Sequence, residues 1–334
     1  MKKIWLIVGL GSIGSKHAEL LLLEGNEVIA IDPDSRSYLK NQITVFKDLD
    51  DLSRSQSLDF KTIYAIVANW GPDHLSTVLE LVAKGCSRIL IEKPMGISPE
   101  DLQVLVGLVE TGTNVLCNFP KRAAGAFEEV KNLLDEDGGC GQINVSGGAQ
   151  CMSTNGIHWL DGAIEVFGNG PISTKADLSL NYINPRSDKL AFVEGSAIWS
   201  FGEGRRLSVS YTNSSSISGK AEFFGRNVLV TLTDDLSMKI YKRKPSELSL
   251  DNRVTRVGSA IKTGGKVFSI DRGIERLHSD LSEDSPAELH HKFNRDLVTH
   301  TALLAAFQST LDPGFKVEAG PLERWNNFPH WEIS

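Results

Sequence analysis

Gly9, Gly11 and Gly14 stand two and three residues apart, between an apolar run and a helical pattern. That spacing is the G-x-G-x-x-G arrangement, in which a backbone turn takes up a pyrophosphate. Gly9 allows a tight turn after the strand, Gly11 lets an anion approach the main chain, and Gly14 lets helix and strand pack closely. The N–H groups at the helix start, around Ser12 and Ile13, then face the anion, helped by the helix dipole. Asp32 follows Gly14 by 18 residues, near the roughly 20-residue spacing at which an acid accepts the ribose hydroxyls. A carboxylate there repels a 2′-phosphate, which favours NAD over NADP; Arg36, able to swing toward a phosphate, opposes that preference. Glycines also end strands, and Asp32-Pro33-Asp34 is alternatively a solvated turn.

The motif has meaning only if the right elements flank it. "KIWLIVGL" is a near-continuous apolar run, as a strand buried on both faces should be. "SKHAELLLLEG" then carries apolar residues at helical spacing and stops at Gly25. "EVIAID", "TIYAIVA" (62–68), "SRILIE" and "NVLCNF" read as further strands, with helices from about Pro72 to Lys84 and from about Pro99 to Glu110. Strands alternating with helices imply a parallel sheet with crossover helices.

Composition narrows the function classes. The chain has 334 residues, enough for two domains with separate cores. Its 35 basic and 42 acidic residues give a net charge of −7 with no basic block, which argues against nucleic-acid and anionic-membrane partners. Cys86, Cys117, Cys140 and Cys151 contain no C-x-x-C pair, so neither a zinc site nor a disulfide framework is expected. "MKKIWLIVGLGSIG" is too short in its apolar part for a signal peptide, and no stretch is long enough to span a bilayer. The expectation is a reduced, cytoplasmic protein without a metal.

Four stretches together resemble the glucose-fructose oxidoreductase / inositol dehydrogenase / MocA family: "GLGSIGSKH" (9–17), "ANWGPDHLSTVLELVAKG" (68–85), "EKP" (92–94) and "GIHWLDGAIEVFG" (156–168). The resemblance implies an α/β Rossmann domain, placed at 1–120. It also implies an α+β C-terminal domain with a large, open, mostly antiparallel sheet, placed at 121–334. It implies hydride transfer between a nicotinamide and a sugar, cyclitol or related hydroxyl compound. "EKP" is its most specific local mark. Ligands of open parallel sheets bind beyond the carboxyl ends of the strands, where Lys93 stands. An ammonium there stabilises negative charge on a substrate oxygen; the alternative is a solvated strand-end lysine. Glu92 is read as holding the loop or a cofactor group.

The family's catalytic histidine matches His158, which would exchange the hydroxyl proton as base or acid. Asp161, three residues on, shares its helix face and matches the family's following aspartate; it would orient the imidazole or bind a substrate hydroxyl. Thr154 stands where inositol-dehydrogenase-like members carry an aspartate, which weakens a plain inositol dehydrogenase assignment. Arg122 matches a basic position of the family, and Lys121-Arg122 would bind a substrate carboxylate or phosphate unless it is a solvated helix start. Asn155 is a further candidate for a substrate hydroxyl. His158 is alternatively a core histidine, and His17, His74 and His290-His291 read as structural.

From residue 173 onward strands dominate. "RLSVSYT" alternates as a one-side-buried strand should, with "AFVEGSAIWSF", "AEFFG" and "NVLVTL" as neighbours. Exposed apolar sheet surface would then be covered by another subunit, giving a homodimer or homotetramer. "NRVTRVGSAIKTGGKVFS" reads as a loop or edge hairpin. "SPAE" (285–288) reads as a capping box opening a helix with an apolar stripe at Leu289, Phe293, Leu297, His300, Leu304 and Phe307. The leading expectation is an NAD-dependent oxidoreductase acting on a hydroxyl or keto carbon of a sugar derivative, with a sugar nucleotide or surface-polysaccharide precursor preferred. The alternatives are a free-sugar or cyclitol dehydrogenase, a non-catalytic dinucleotide sensor, and a redox-neutral NAD-dependent lyase.

Overall fold

The apolar runs of the first third become six parallel strands. The computed structural model describes residues 2–34, 38–55, 57–179, 193–244 and 258–311. In order they are β1 (Ile4–Val8), β2 (Glu27–Ile31), β3 (Thr44–Phe46), β4 (Tyr64–Val67), β5 (Arg88–Ile91) and β6 (Asn114–Cys117). Helices α1 (Ser12–Leu23), α2 (Leu49–Ser55), α3 (His74–Ala83) and α4 (Pro99–Glu110) connect them. The spatial order is β3-β2-β1-β4-β5-β6, every pairing parallel. This is the doubly wound order, with its switch point between β1 and β4. Leu6, Ile7, Ala65, Ile66, Ile89, Leu90 and Ile91 are fully buried. Burial on both faces is why these strands are uninterrupted apolar runs.

Two compact units are present: among the described residues the first holds 2–118 and 274–300, and the second 119–273 and 301–311. The first unit thus includes late helical residues besides the sheet. The second unit opens with α5 (Pro120–Ala123) and α6 (Ala126–Asp135), then β7 (Gln142–Gly147) and α7 (Ile157–Phe167). Strands β8 (Ser173–Ser179), β9 (Glu194–Ser200), β10 (Arg206–Tyr211), β11 (Lys220–Phe224), β12 (Val228–Thr233), β13 (Ser237–Arg243) and β14 (Ala260–Val267) follow. They form one sheet in the order β14-β13-β12-β11-β7-β10-β9-β8. Among the described residues only β7 and β10 pair in parallel in this sheet; the other pairings are antiparallel.

The alternation in "RLSVSY" buries Leu207, Val209 and Tyr211 and turns Arg206, Ser208 and Ser210 outward. Across the sheet the outward row through Ser208 continues as Ile198, Asn144, Glu222 and Thr231. That row is mostly polar. Apolar side chains are exposed on these strands at Ile198, Phe224 and Ile261.

The last helices are α8 (Ile270–Glu283) and α9 (Pro286–Leu311). The capping box at the start of α9 forms as its residues suggest. Glu288 accepts the Ser285 N–H at 2.8 Å, and Ser285 Oγ accepts the Glu288 N–H at 3.3 Å. Its stripe is buried at Leu289, Phe293, His300, Leu304 and Phe307, with Leu297 half-buried. The stretch read as a loop or edge hairpin contributes β14, an edge strand on β13; residues 245–257 lie outside the described residues. Among the described residues no helix is long and apolar enough to cross a membrane.

Candidate active site

The glycine turn is built by close packing. Gly9 has φ +94°, and a Cβ there would meet the Ala68 carbonyl oxygen and the Asn69 nitrogen at 2.6 Å. Any other residue would be strained at that φ and would clash with the backbone after β4. A Cβ on Gly14 would run into the Gly9 carbonyl. Gly11 differs: it is exposed, and a Cβ built on it would meet nothing within 4 Å. That open volume, at an α1 N-terminus with no side-chain cap and no acid in its first turn, is a cradle fit for an anion. Ser12 is exposed and Ile13 half-buried in that first turn.

Asp32 ends β2 beside this turn. Its Oδ2 accepts the Leu10 N–H at 2.7 Å, and its Oδ1 accepts the Asp34 N–H at 2.9 Å. The backbone thereby orients the carboxylate, while each oxygen keeps a further lone pair for a ribose hydroxyl. Arg36 lies outside the described residues. Asp32→Asn keeps an acceptor but removes the charge that repels a 2′-phosphate. The expected result is a loss of at least about tenfold in NADH-over-NADPH preference, read by nicotinamide fluorescence titration. An unchanged ratio would remove Asp32 from cofactor selection.

Glu92 and Lys93 follow β5 directly. Glu92 is 6% exposed. It accepts from Asn118 Nδ2, and its Oε1 lies 3.2 Å from His17 Nε2. Burial alone would raise its pKa. The hydrogen bond from His17, the charge of Lys93 and the Asn118 amide outweigh burial and hold the carboxyl below its ordinary value. Glu92 is therefore an anchored carboxylate. Lys93 is half-buried, and the Lys93-Pro94 peptide is cis.

His158, Asp161 and Asn155 belong to the second unit. A π-helical turn, Met152–Gly156, leads into α7, and such turns concentrate at functional sites. Within it Thr154 Oγ1 donates to Asn155 Oδ1 at 3.2 Å. All of α7 except Glu165 is buried. A Cβ on Gly162 would overlap the Phe127 ring, so α6 and α7 pack too closely for a larger residue. His158 is 7% exposed, with the Phe119 ring edge-on at 5.8 Å between centroids.

The two candidate substrate cations are both ion-paired inside this unit. Arg122 donates to Asp161 Oδ1 and lies 5.0 Å from the Phe119 ring centroid. Lys121 Nζ lies 2.7 Å from Asp234 and 4.4 Å from the Trp159 centroid. Asp234 also accepts from Gln150, Ser218 and the Gly219 N–H. Burial works to raise its pKa; the Lys121 charge and these donors hold it below its ordinary value. Burial, with the Asp234 charge, pushes the Tyr211 hydroxyl well above its ordinary range. The sequence reading did not single out Asp234, Gln150 or Tyr211. No motif marks them, and they meet Lys121 and Trp159 only through the fold. Among the described residues no cluster of His, Cys, Asp or Glu could hold a metal.

A parallel sheet of this order, a glycine turn open to an anion and an acid at the end of β2 define an NAD-binding Rossmann unit. Residues 3–119 match the family model described as oxidoreductase family, NAD-binding Rossmann fold (GFO_IDH_MocA). Inositol 2-dehydrogenase of Burkholderia multivorans is 24% identical over 160 residues, which is 45% of each chain; the match therefore spans less than half of that relative. An oxidoreductase from Agrobacterium radiobacter, solved with NAD+, L-tartaric acid and magnesium, has 15% identity and a TM-score of 0.68, covering 95% of this chain and 98% of that one. The UDP-N-acetylglucosamine 3-dehydrogenase GnnA of Acidithiobacillus ferrooxidans has 14% identity and a TM-score of 0.67, covering 93% and 97%. At these identities the structural likeness is one of fold.

Proposed function

We propose that the protein is an oxidoreductase acting on a hydroxyl or keto carbon of a carbohydrate derivative, with NAD as cofactor. NAD, when bound, supplies the hydride acceptor. On the protein's side, Lys93 stabilises negative charge on the substrate oxygen and His158 exchanges the hydroxyl proton. The observation that carries this reading is the position of Lys93. It is half-buried just beyond the carboxyl end of β5, adjacent to β4 and the switch point, where ligands of such sheets bind.

Within that class the paired cations favour an uncharged sugar or cyclitol over a phosphate-bearing sugar nucleotide. Binding a phosphate through Lys121 or Arg122 requires breaking the bond to Asp234 or Asp161. The similar proteins include both kinds by name, an inositol dehydrogenase and a UDP-sugar dehydrogenase. The test is NAD reduction across free sugars, cyclitols and nucleotide sugars. Turnover confined to neutral compounds is expected. Turnover confined to nucleotide sugars would restore the anion-binding role of Lys121-Arg122. Tight NAD binding without any turnover would point to a sensor or a redox-neutral lyase.

A further inference from the structure

The peptide group that follows Lys93-Pro94 is gripped at both its carbonyl and its N–H by buried histidines. The Pro94 carbonyl lies 2.9 Å from His74 Nδ1. The Met95 N–H donates to His300 Nε2 at 3.0 Å. Main-chain groups face both rings. His74 Nδ1 faces the Pro94 carbonyl at 2.9 Å and its Nε2 faces the Asn69 carbonyl at 3.2 Å; the shorter contact is the one to which His74 donates. An amide only donates, so His300 Nε2 is the acceptor, and its Nδ1–H donates to the Asp296 carbonyl at 2.7 Å. The two rings are 2% and 0% exposed. Each stands on a long helix: His74 opens α3 and His300 lies within α9. Asp296, one turn before His300, accepts the Cys117 N–H at 2.9 Å, which ties α9 to the end of β6. Glu92, preceding the lysine, is held by His17 and Asn118.

We propose that His74 and His300 are positioning residues for Lys93, holding the Pro94-Met95 peptide group just beyond it so that the lysine ammonium stays where a substrate oxygen is met. This rests on the oxidoreductase reading for the role of Lys93. The physical case is that a catalytic group on a loop is only as well placed as the peptide groups that carry it. Helices α3 and α9 supply a donor to the carbonyl of this peptide group and an acceptor to its N–H.

The test compares an apolar and an amide replacement at each position. His74→Asn retains a donor near Nδ1, and His300→Gln retains an acceptor near Nε2; His74→Phe and His300→Phe retain neither. Two quantities are read: hydrogen exchange at the Met95 amide, and kcat beside KM for NAD. Both Phe variants are expected to speed Met95 exchange about tenfold while β1 keeps its protection. They should lower kcat about tenfold to a hundredfold with KM for NAD little changed, and the amide variants should recover most of both. Where Phe does not fold, Leu replaces it. Unchanged Met95 exchange in the apolar variants, or equal losses in apolar and amide variants, would overturn the proposal. Absence of turnover in the unaltered protein would instead overturn the oxidoreductase reading, and the exchange measurement would still judge the clamp.

Discussion

Lys93→Met is expected to lower kcat by about 10²–10³ and to leave NADH affinity within about threefold. Methionine keeps the unbranched stem and the volume but removes the charge and all three donors. The loss should therefore appear in the step where negative charge develops on the substrate oxygen. Lys93 also contributes to keeping Glu92 ionised, but His17 contributes before it and Asn118 also bonds that carboxylate. Glu92 and its loop should stay in place without the lysine. The glycine turn and Asp32, which would carry the cofactor, lie on β1, α1 and β2 and should be untouched. Lys93→Arg is no rescue, because the planar guanidinium differs in reach and hydration. Steady-state kinetics on the best substrate, beside NADH fluorescence titration, checks both halves. Retention of kcat within threefold would remove Lys93 from the chemistry.

What made this lysine legible is locality. The run "ILIEKP" places strand, acid, lysine and proline in a contiguous segment, and the Gly9-Gly11-Gly14 spacing is equally local. The strands of the parallel sheet were legible because burial on both faces leaves an apolar run. Short or edge elements left weaker traces. Strand β3 has three residues with only Phe46 buried, and α2 buries only Leu49 and Leu52. Strand β13 went unread because "SMKIYKR" lacks a continuous apolar run, and β14 carries Gly264-Gly265 with little buried side chain. Helix α8 buries Ile274, Leu277 and Leu281 at helical spacing, set among polar residues that keep the stripe narrow.

The partners of the site were illegible for a different reason. Arg122 and Asp161 are 39 residues apart, Lys121 and Asp234 are 113 apart, and Met95 and His300 are 205 apart. No periodicity or motif encodes pairs that only the packing of helices and sheets brings together. Reading Asp161 from its spacing to His158 therefore found a shared helix face and missed the arginine opposite it.

That arginine sets the second expected result. Asp161→Asn should lower the stability of the second unit by about 3–5 kcal/mol, the cost of leaving one member of a buried ion pair without its counter-charge. The Asp161 side chain is 1% exposed and that of Arg122 is 15% exposed, so an exposed pair's contribution of roughly 0–1 kcal/mol is the wrong comparison. Residual access of water to Arg122 should bring the loss toward the lower end. Adding Arg122→Met removes the stranded charge and keeps an apolar stem against the Phe119 ring. The double variant should regain most of the lost stability, as read by urea midpoints of intrinsic fluorescence. Turnover of the double variant then separates two roles for the aspartate. Recovery to within about tenfold of the unaltered protein means that Asp161 serves only by neutralising Arg122 and so holding the start of α7. A stable but inactive double variant means that the carboxylate or the guanidinium acts on His158 or the substrate. A double variant no more stable than Asp161→Asn alone would show that the pair does not hold these helices together.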